Sequence, residues 1–182
     1  MVAYFGVPPF VATLGMMMVG SGLAYMLSGG LSIYQLPESF DWLGRGDDWA
    51  GVPNAVVLMV VLYLLAHTLM SRTTIGRYIY AVGGNPEAAR LSGIPVKKVL
   101  LWVYASCGAL AGLGGVIMAS QFKSGDPKYG LMYELYVIAA VVVGGTSLSG
   151  GRGKVFGTLI GAFIIAVIQN GMNLTGVQSY TQ

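Results

Sequence analysis

Charge is what this sequence has least of. Lys, Arg, Asp and Glu together make up 9% of its 182 residues, against about 25% in an ordinary soluble domain, so there is too little charge to cover a core with a hydrated surface. Thiols are scarce too. The single Cys107 lies in an apolar stretch, which excludes an intrachain disulfide or a thiolate metal cluster and leaves a small packing residue. His67 is the one histidine and has no Asp, Glu or Cys near it in sequence, so it reads as a hydrogen-bonded packing or interface residue rather than a catalytic group. Met1 is followed by neither a positive region nor an A-x-A cleavage site, unlike a removable signal peptide. A start inside apolar sequence suggests a piece of a longer chain.

What is present is apolar and periodically interrupted. Hydrophobic residues make up 55% of the chain and the mean hydropathy is +0.69. Charge is absent from 1–37, 49–71, 99–122, 135–151 and 155–182, and several of these intervals exceed the roughly 18 apolar residues that mark a spanning helix. We read five membrane segments, at 8–27, 53–71, 99–122, 135–148 and 155–172. The fold class expected is an all-α, polytopic membrane helix bundle, one transmembrane domain over 1–182. The segment 135–148 is short for a span, which needs about 20 residues, so it is expected to be tilted, protein-buried or re-entrant.

The charges that remain are sided. Arg72, Arg77, Arg90, Lys97, Lys98, Arg152 and Lys154 fall in two connections, and Arg45, Lys123 and Lys128 in the alternate ones, seven cations against three. The cation-rich loops are expected on the cytoplasmic side. Glu38, Asp41, Asp47, Asp48, Asp126 and Glu134 all fall on the other side, and an odd number of spans places Met1 inside and Gln182 outside. The cations form no continuous basic stripe, which argues against nucleic acid as a partner.

Glycine is abundant, with 28 residues. Gly20, Ala24 and Ser28, then Gly108 and Gly112, then Gly153, Gly157 and Gly161 recur every four residues, as small residues do where helices approach closely in lipid, within one chain or between subunits. The run from Gly145 to Lys154 superficially resembles a phosphate loop, but Leu148 stands where glycine is required and Val155 where Ser or Thr is required. It reads as a tight turn with no ATP site.

One polar connection is written as a short helix with both ends specified. Asn85 can cap the first amides, Pro86 suits the first helical position, and Glu87 and Arg90 suit the positive and negative ends of the dipole. Gly93 supplies a left-handed stop, and Pro95 prevents continuation. Pro86 to Ser92 would give roughly 10 Å of helix, too short to persist alone.

Here the chain resembles the permeases of ribose-type ABC importers, in the branched-chain amino acid/ribose permease superfamily. The resemblance is carried by G-R-Y-I-Y-A-V-G-G-N-P-E-A-A-R-L-S-G-I at 76–94 and A-A-V-V-V-G-G-T-S-L-S-G-G-R-G-K-V-F-G-T-L-I-G-A at 139–162. P-F-V-A-T-L-G at 9–15 and N-G-M-N-L at 170–174 are similar to the same family. The resemblance implies that Asn85, Pro86, Glu87, Ala88, Ala89, Arg90, Leu91, Ser92, Gly93 and Ile94 form the cytoplasmic coupling helix that docks on an ATP-hydrolysing subunit, with Glu87, Ala88, Arg90 and Leu91 as contact positions. It further implies a second permease copy, a periplasmic or lipid-anchored sugar-binding protein, and residence in the bacterial cytoplasmic membrane. The chain itself would need no cofactor, because ATP is bound by the partner. Family members also have spans before the 9–15 stretch and one more after the position of Tyr180, so the chain is expected to be a fragment.

Uncharged polar groups remain in or beside the predicted segments at Thr13, Ser21, Gln169, Asn170 and Asn173. They are candidates for a sugar path, since a neutral hydroxyl-rich ligand needs donors and acceptors without net charge, and interhelical bonding is their alternative use. An ion-coupled carrier or channel, or a non-transporting scaffold, are the competing functions. The absence of Asp, Glu, Lys and Arg from the predicted spans favours an external energy source over ion coupling.

Overall fold

The computed structural model describes residues 2, 6–34, 36–46 and 51–176; the expectations placed on Met1, Asp47, Asp48, Tyr180 and Gln182 lie outside them. Among the described residues every regular element is a helix, and the one extended pairing is an isolated antiparallel bridge between Ile33 and Gly125. Four helices are long and apolar enough to cross a membrane, and a fifth apolar helix is shorter. In a bilayer this is the expected outcome, because helices satisfy their backbone groups internally.

The chain divides into two compact units, the first formed by 1–62 with 95–131 and the second by 63–94 with 132–182. In the first, α1 (Pro9–Ser28) begins on proline and stops at Gly29, whose φ of 62° is left-handed. No residue of α1 is buried, and Phe10 is 73% and Met26 79% exposed. Apolar side chains at that exposure are stable only against lipid or further helices.

The 3-10 turn Glu38–Phe40 runs into α2 (Asp41–Arg45), which packs on the end of α6 (Val96–Phe122). Ser120 Oγ, fully buried, accepts the Gly44 amide at 2.8 Å and donates to the Phe40 carbonyl at 2.6 Å. Lys123 Nζ pairs with Asp41. Beyond α6, Ile33 and Gly125 exchange amide bonds of 2.8 Å. The Asp126 carboxylate accepts from Ser32 Oγ and from the Lys128 amide, and these bonds, the hydroxyl first, hold it below the usual carboxylate range. The second long helix in chain order, α3 (Asn54–Arg72), starts in this unit and ends in the other.

The second unit carries α4 (Thr74–Gly84), α5 (Pro86–Leu91), α7 (Tyr133–Val143) and α8 (Val155–Leu174). Helices α7 and α8 pack backbone to backbone: a Cβ on Gly161 would collide with the Ala140 carbonyl, and one on Gly144 or Gly157 with the other's backbone. Only glycine permits that approach. Thus the row at 153, 157 and 161 makes intramolecular contact, whereas Cβ atoms added at Gly20, Gly108 or Gly112 would meet nothing. The His67 ring lies 4.6 Å from that of Phe156, a packing role.

Two readings of the sequence are revised in detail. The segment expected at 135–148 is a helix from Tyr133 to Val143 that then turns; the 11 residues of this helix give roughly 16 Å, about half the bilayer core. The connection 72–98 holds the amphipathic helix α4 as well as α5. Its start is set by Thr73, whose Oγ1 accepts the Gly76 amide at 3.2 Å.

Candidate functional site

Helix α5 is capped at both ends as its residues dictate. Asn85 Oδ1 accepts the amides of Glu87 and Ala88, each at 3.0 Å. The same residue ends α4, its own amide reaching the Ala81 carbonyl at 3.1 Å. One extended residue, with φ −156° and ψ 104°, therefore closes one helix and opens the next. At the other end Ser92 is the cap, one residue inside the expected end, and Gly93 at φ 82° donates to Arg90 while Ile94 donates to Ala89. This doubled return satisfies the orphan carbonyls of the last turn.

The exposed face of α5 carries Glu87, Ala88, Arg90 and Leu91, the last 83% exposed, while Ala89 is buried. Of the ten residues from Asn85 to Ile94, Ala89 is the buried one, at 5% exposure. Arg90 Nη2 pairs with Glu87 Oε2 at 3.1 Å, with both side chains about 70% exposed. A pair so hydrated is worth little to stability, and both groups stay available to a partner.

The sequence-predicted polar residues are only partly brought together. Gln169, Asn170 and Asn173 share one sector of α8, whereas Thr13 belongs to α1 in the other unit and bonds back to the carbonyls of Pro9 and Phe10. Gln169 lines a groove of about 250 Å³ between α7 and α8 with Tyr133, Tyr136 and Ala140, among others. The two tyrosine rings meet edge to face at 6.2 Å. Sequence reasoning missed them, although two aromatics three residues apart in an otherwise aliphatic segment were a usable signal. It also missed Tyr80, whose hydroxyl donates to the Gly153 carbonyl at 2.9 Å.

Four helices long and apolar enough to span a membrane, a shorter apolar helix and a capped polar helix are the features of a polytopic helical membrane protein, and no metal cluster is formed among the described residues. The chain belongs to the family of branched-chain amino acid transport system permease components, whose model matches residues 1–182. It is 46% identical over 180 residues to the ribose import permease protein RbsC of Escherichia coli (strain K12), covering 97% of this chain and 56% of that one. The ribose import permease of Bacillus subtilis (strain 168) is 45% identical over 96% of this chain and 54% of its own length. The L-arabinose transport system permease protein AraH of Escherichia coli (strain K12) is 37% identical over 100% and 55%. The chain thus spans about half the length of the curated relatives it matches. No solved structure matches it.

Proposed function

We propose that this chain forms part of the translocation subunit of an ATP-driven importer that moves a monosaccharide such as ribose across the cytoplasmic membrane. The observation that carries the reading is the α5 segment, Asn85–Ile94, capped at both ends and exposed along Glu87, Ala88, Arg90 and Leu91, in a chain similar to ribose permeases across nearly its whole length. A helix of six residues does not persist by its own propensity; its double capping makes it a rigid, pre-shaped element for a partner. That partner is an ATP-hydrolysing subunit, and ATP is bound there: in this chain Leu148 and Val155 stand where a phosphate loop needs glycine and a hydroxyl. A second permease copy and an external sugar-binding protein complete the assembly.

The groove between α7 and α8 suits a neutral sugar better than an ion. Tyrosine faces accept the apolar side of a pyranose or furanose ring, and the Gln169 amide both donates and accepts. Asn170 and Asn173 extend the same sector of α8, while Thr13, bonded to its own helix, supports the path least.

The test uses the full-length parent protein. It is expected to co-purify with the ATPase encoded beside it and, in liposomes, to hydrolyse ATP faster when the cognate binding protein and ribose are added. Uptake driven by an imposed ion gradient, with no ATPase bound, would establish an ion-coupled carrier instead.

A further inference from the structure

The connection after α7 does more than turn the chain. It is stiffened internally by Ser147 N–H donating to the Arg152 carbonyl at 3.0 Å and Gly150 N–H to Ser147 at 3.1 Å. Gly150 and Gly151 both take left-handed φ, 83° and 72°. On this turn sits the end of α4, glycine against glycine. A Cβ on Gly83 would lie 2.9 Å from the Gly151 nitrogen, one on Gly151 would lie 2.7 Å from the Gly84 Cα, and one on Gly150 would strike the Gly83 carbonyl. The Tyr80 hydroxyl, one turn earlier in α4, bonds the Gly153 carbonyl and clamps the same two segments a second time.

From this geometry we infer that the Gly83–Gly84 end of α4, seated on Gly150–Gly151 and clamped by Tyr80, is a strut that transmits movement of α5 to the α7–α8 pair. The inference rests on the coupling role proposed for α5 and adds the route inward. Asn85 joins the strut to α5 without an intervening flexible residue, since it caps both helices. On the far side, the turn leads directly into α8, whose Gly157 and Gly161 lock against Gly144 and Ala140 of α7. A displacement of α5 therefore reaches the walls of the groove that holds Tyr133, Tyr136 and Gln169 through closely packed backbone, with the Tyr80 hydroxyl as a side-chain clamp beside it. Packed backbone has little room to absorb a displacement, whereas long side chains do.

Two adjacent glycines separate this route from simple helix stability. Alanine is the better helix former at either position, so propensity predicts that Gly83→Ala and Gly84→Ala both stabilise α4. The contact predicts otherwise: a Cβ at Gly84 meets Gly151 Cα at an ordinary 3.8 Å, whereas a Cβ at Gly83 must push the turn away. Tyr80→Phe tests the clamp with no change in backbone or volume.

The experiment places the full-length parent, its ATPase and its binding protein in liposomes and reads sugar uptake, ATP hydrolysis and ATPase co-purification together. Gly83→Ala is expected to retain the ATPase and to lower uptake per ATP hydrolysed by about tenfold, the order expected for a residue on a coupling route. Gly84→Ala is expected to match the wild type, and Tyr80→Phe to retain the ATPase while lowering uptake per ATP by about threefold. Equal effects of Gly83→Ala and Gly84→Ala, or unchanged uptake in both Gly83→Ala and Tyr80→Phe, would overturn the strut and leave the importer reading standing. A wild-type parent that binds no ATPase would overturn both.

Discussion

The hydroxyl of Ser120 joins α6 to a segment 76 residues earlier in the chain, accepting the Gly44 amide while donating to the Phe40 carbonyl. Ser120 is fully buried, at 0% exposure. Removing it leaves an amide and a carbonyl without their partner at a buried site. Ser120→Ala is therefore expected to destabilise the α2–α6 contact by about 1–3 kcal/mol, read as a lower melting temperature of the detergent-solubilised parent. An unchanged melting temperature would mean that water replaces the hydroxyl at no cost.

The glycine rows are expected to respond unequally. Gly161→Ala drives a methyl into the Ala140 carbonyl and should cost about 1–3 kcal/mol. Gly108→Ala adds a methyl where nothing lies within 4 Å and should be neutral or slightly stabilising. Gly112, expected from its spacing to pack against a helix, is equally open around a Cβ, so Gly112→Leu in the full-length parent should leave stability unchanged, and a loss would show that a helix does lie against this face. Thermal melts of the three variants separate these cases.

Sidedness follows from charge. Ser92 lies in a connection with five of the cations and Ser39 in one with Arg45 alone, and both residues are exposed. Single cysteines placed at the two positions, in a background with Cys107→Ser, should be modified by an impermeant maleimide from opposite faces, with Ser92 cytoplasmic. Modification of both from one face would invert the map.

Arg90→Glu tests the ATPase contact proposed for α5. Its ion pair with Glu87 is exposed, so the helix itself loses little. A carboxylate facing an acidic partner, and lying at the negative end of the dipole, should cost about 2–5 kcal/mol if the partner buries the position. The expected result is normal membrane insertion with loss of ATPase co-purification and of uptake. Wild-type binding would reduce Arg90 to a hydrated surface residue.

Acid should act late on the Ser32–Asp126 loop. The Asp126 pKa is lowered by the Ser32 hydroxyl first and the Lys128 amide next, so the contribution of this site is present above the unfolded carboxylate value and lost only as pH falls through the lower folded one. An NMR titration should leave the Asp126 carboxyl resonance unchanged from pH 8 down to about 5, given an unperturbed value near 3.9. Ser32→Ala should move its titration upward.

The sequence alone determined the elements whose causes are local or compositional. Long charge-free intervals have one structural outcome in lipid, so α1, α3, α6 and α8 were legible to within a few residues. So were the ends of α5, because Asn85 and Gly93 act on backbone groups no more than a few positions away. Helix α4 was less legible: its glycines and charged neighbours read as connection, and its amphipathic face has meaning only once it has a surface to lie on. Tertiary structure alone decided which small residues are contacts. Gly108 and Gly161 look alike in sequence, and only the placement of α7 beside α8 puts the Ala140 carbonyl where a side chain on Gly161 would stand. It likewise brought Tyr80 to Gly153, across 73 residues, and Tyr133 to Gln169, because the free energy of such pairs depends on where whole helices pack and no spacing along the chain encodes that distance.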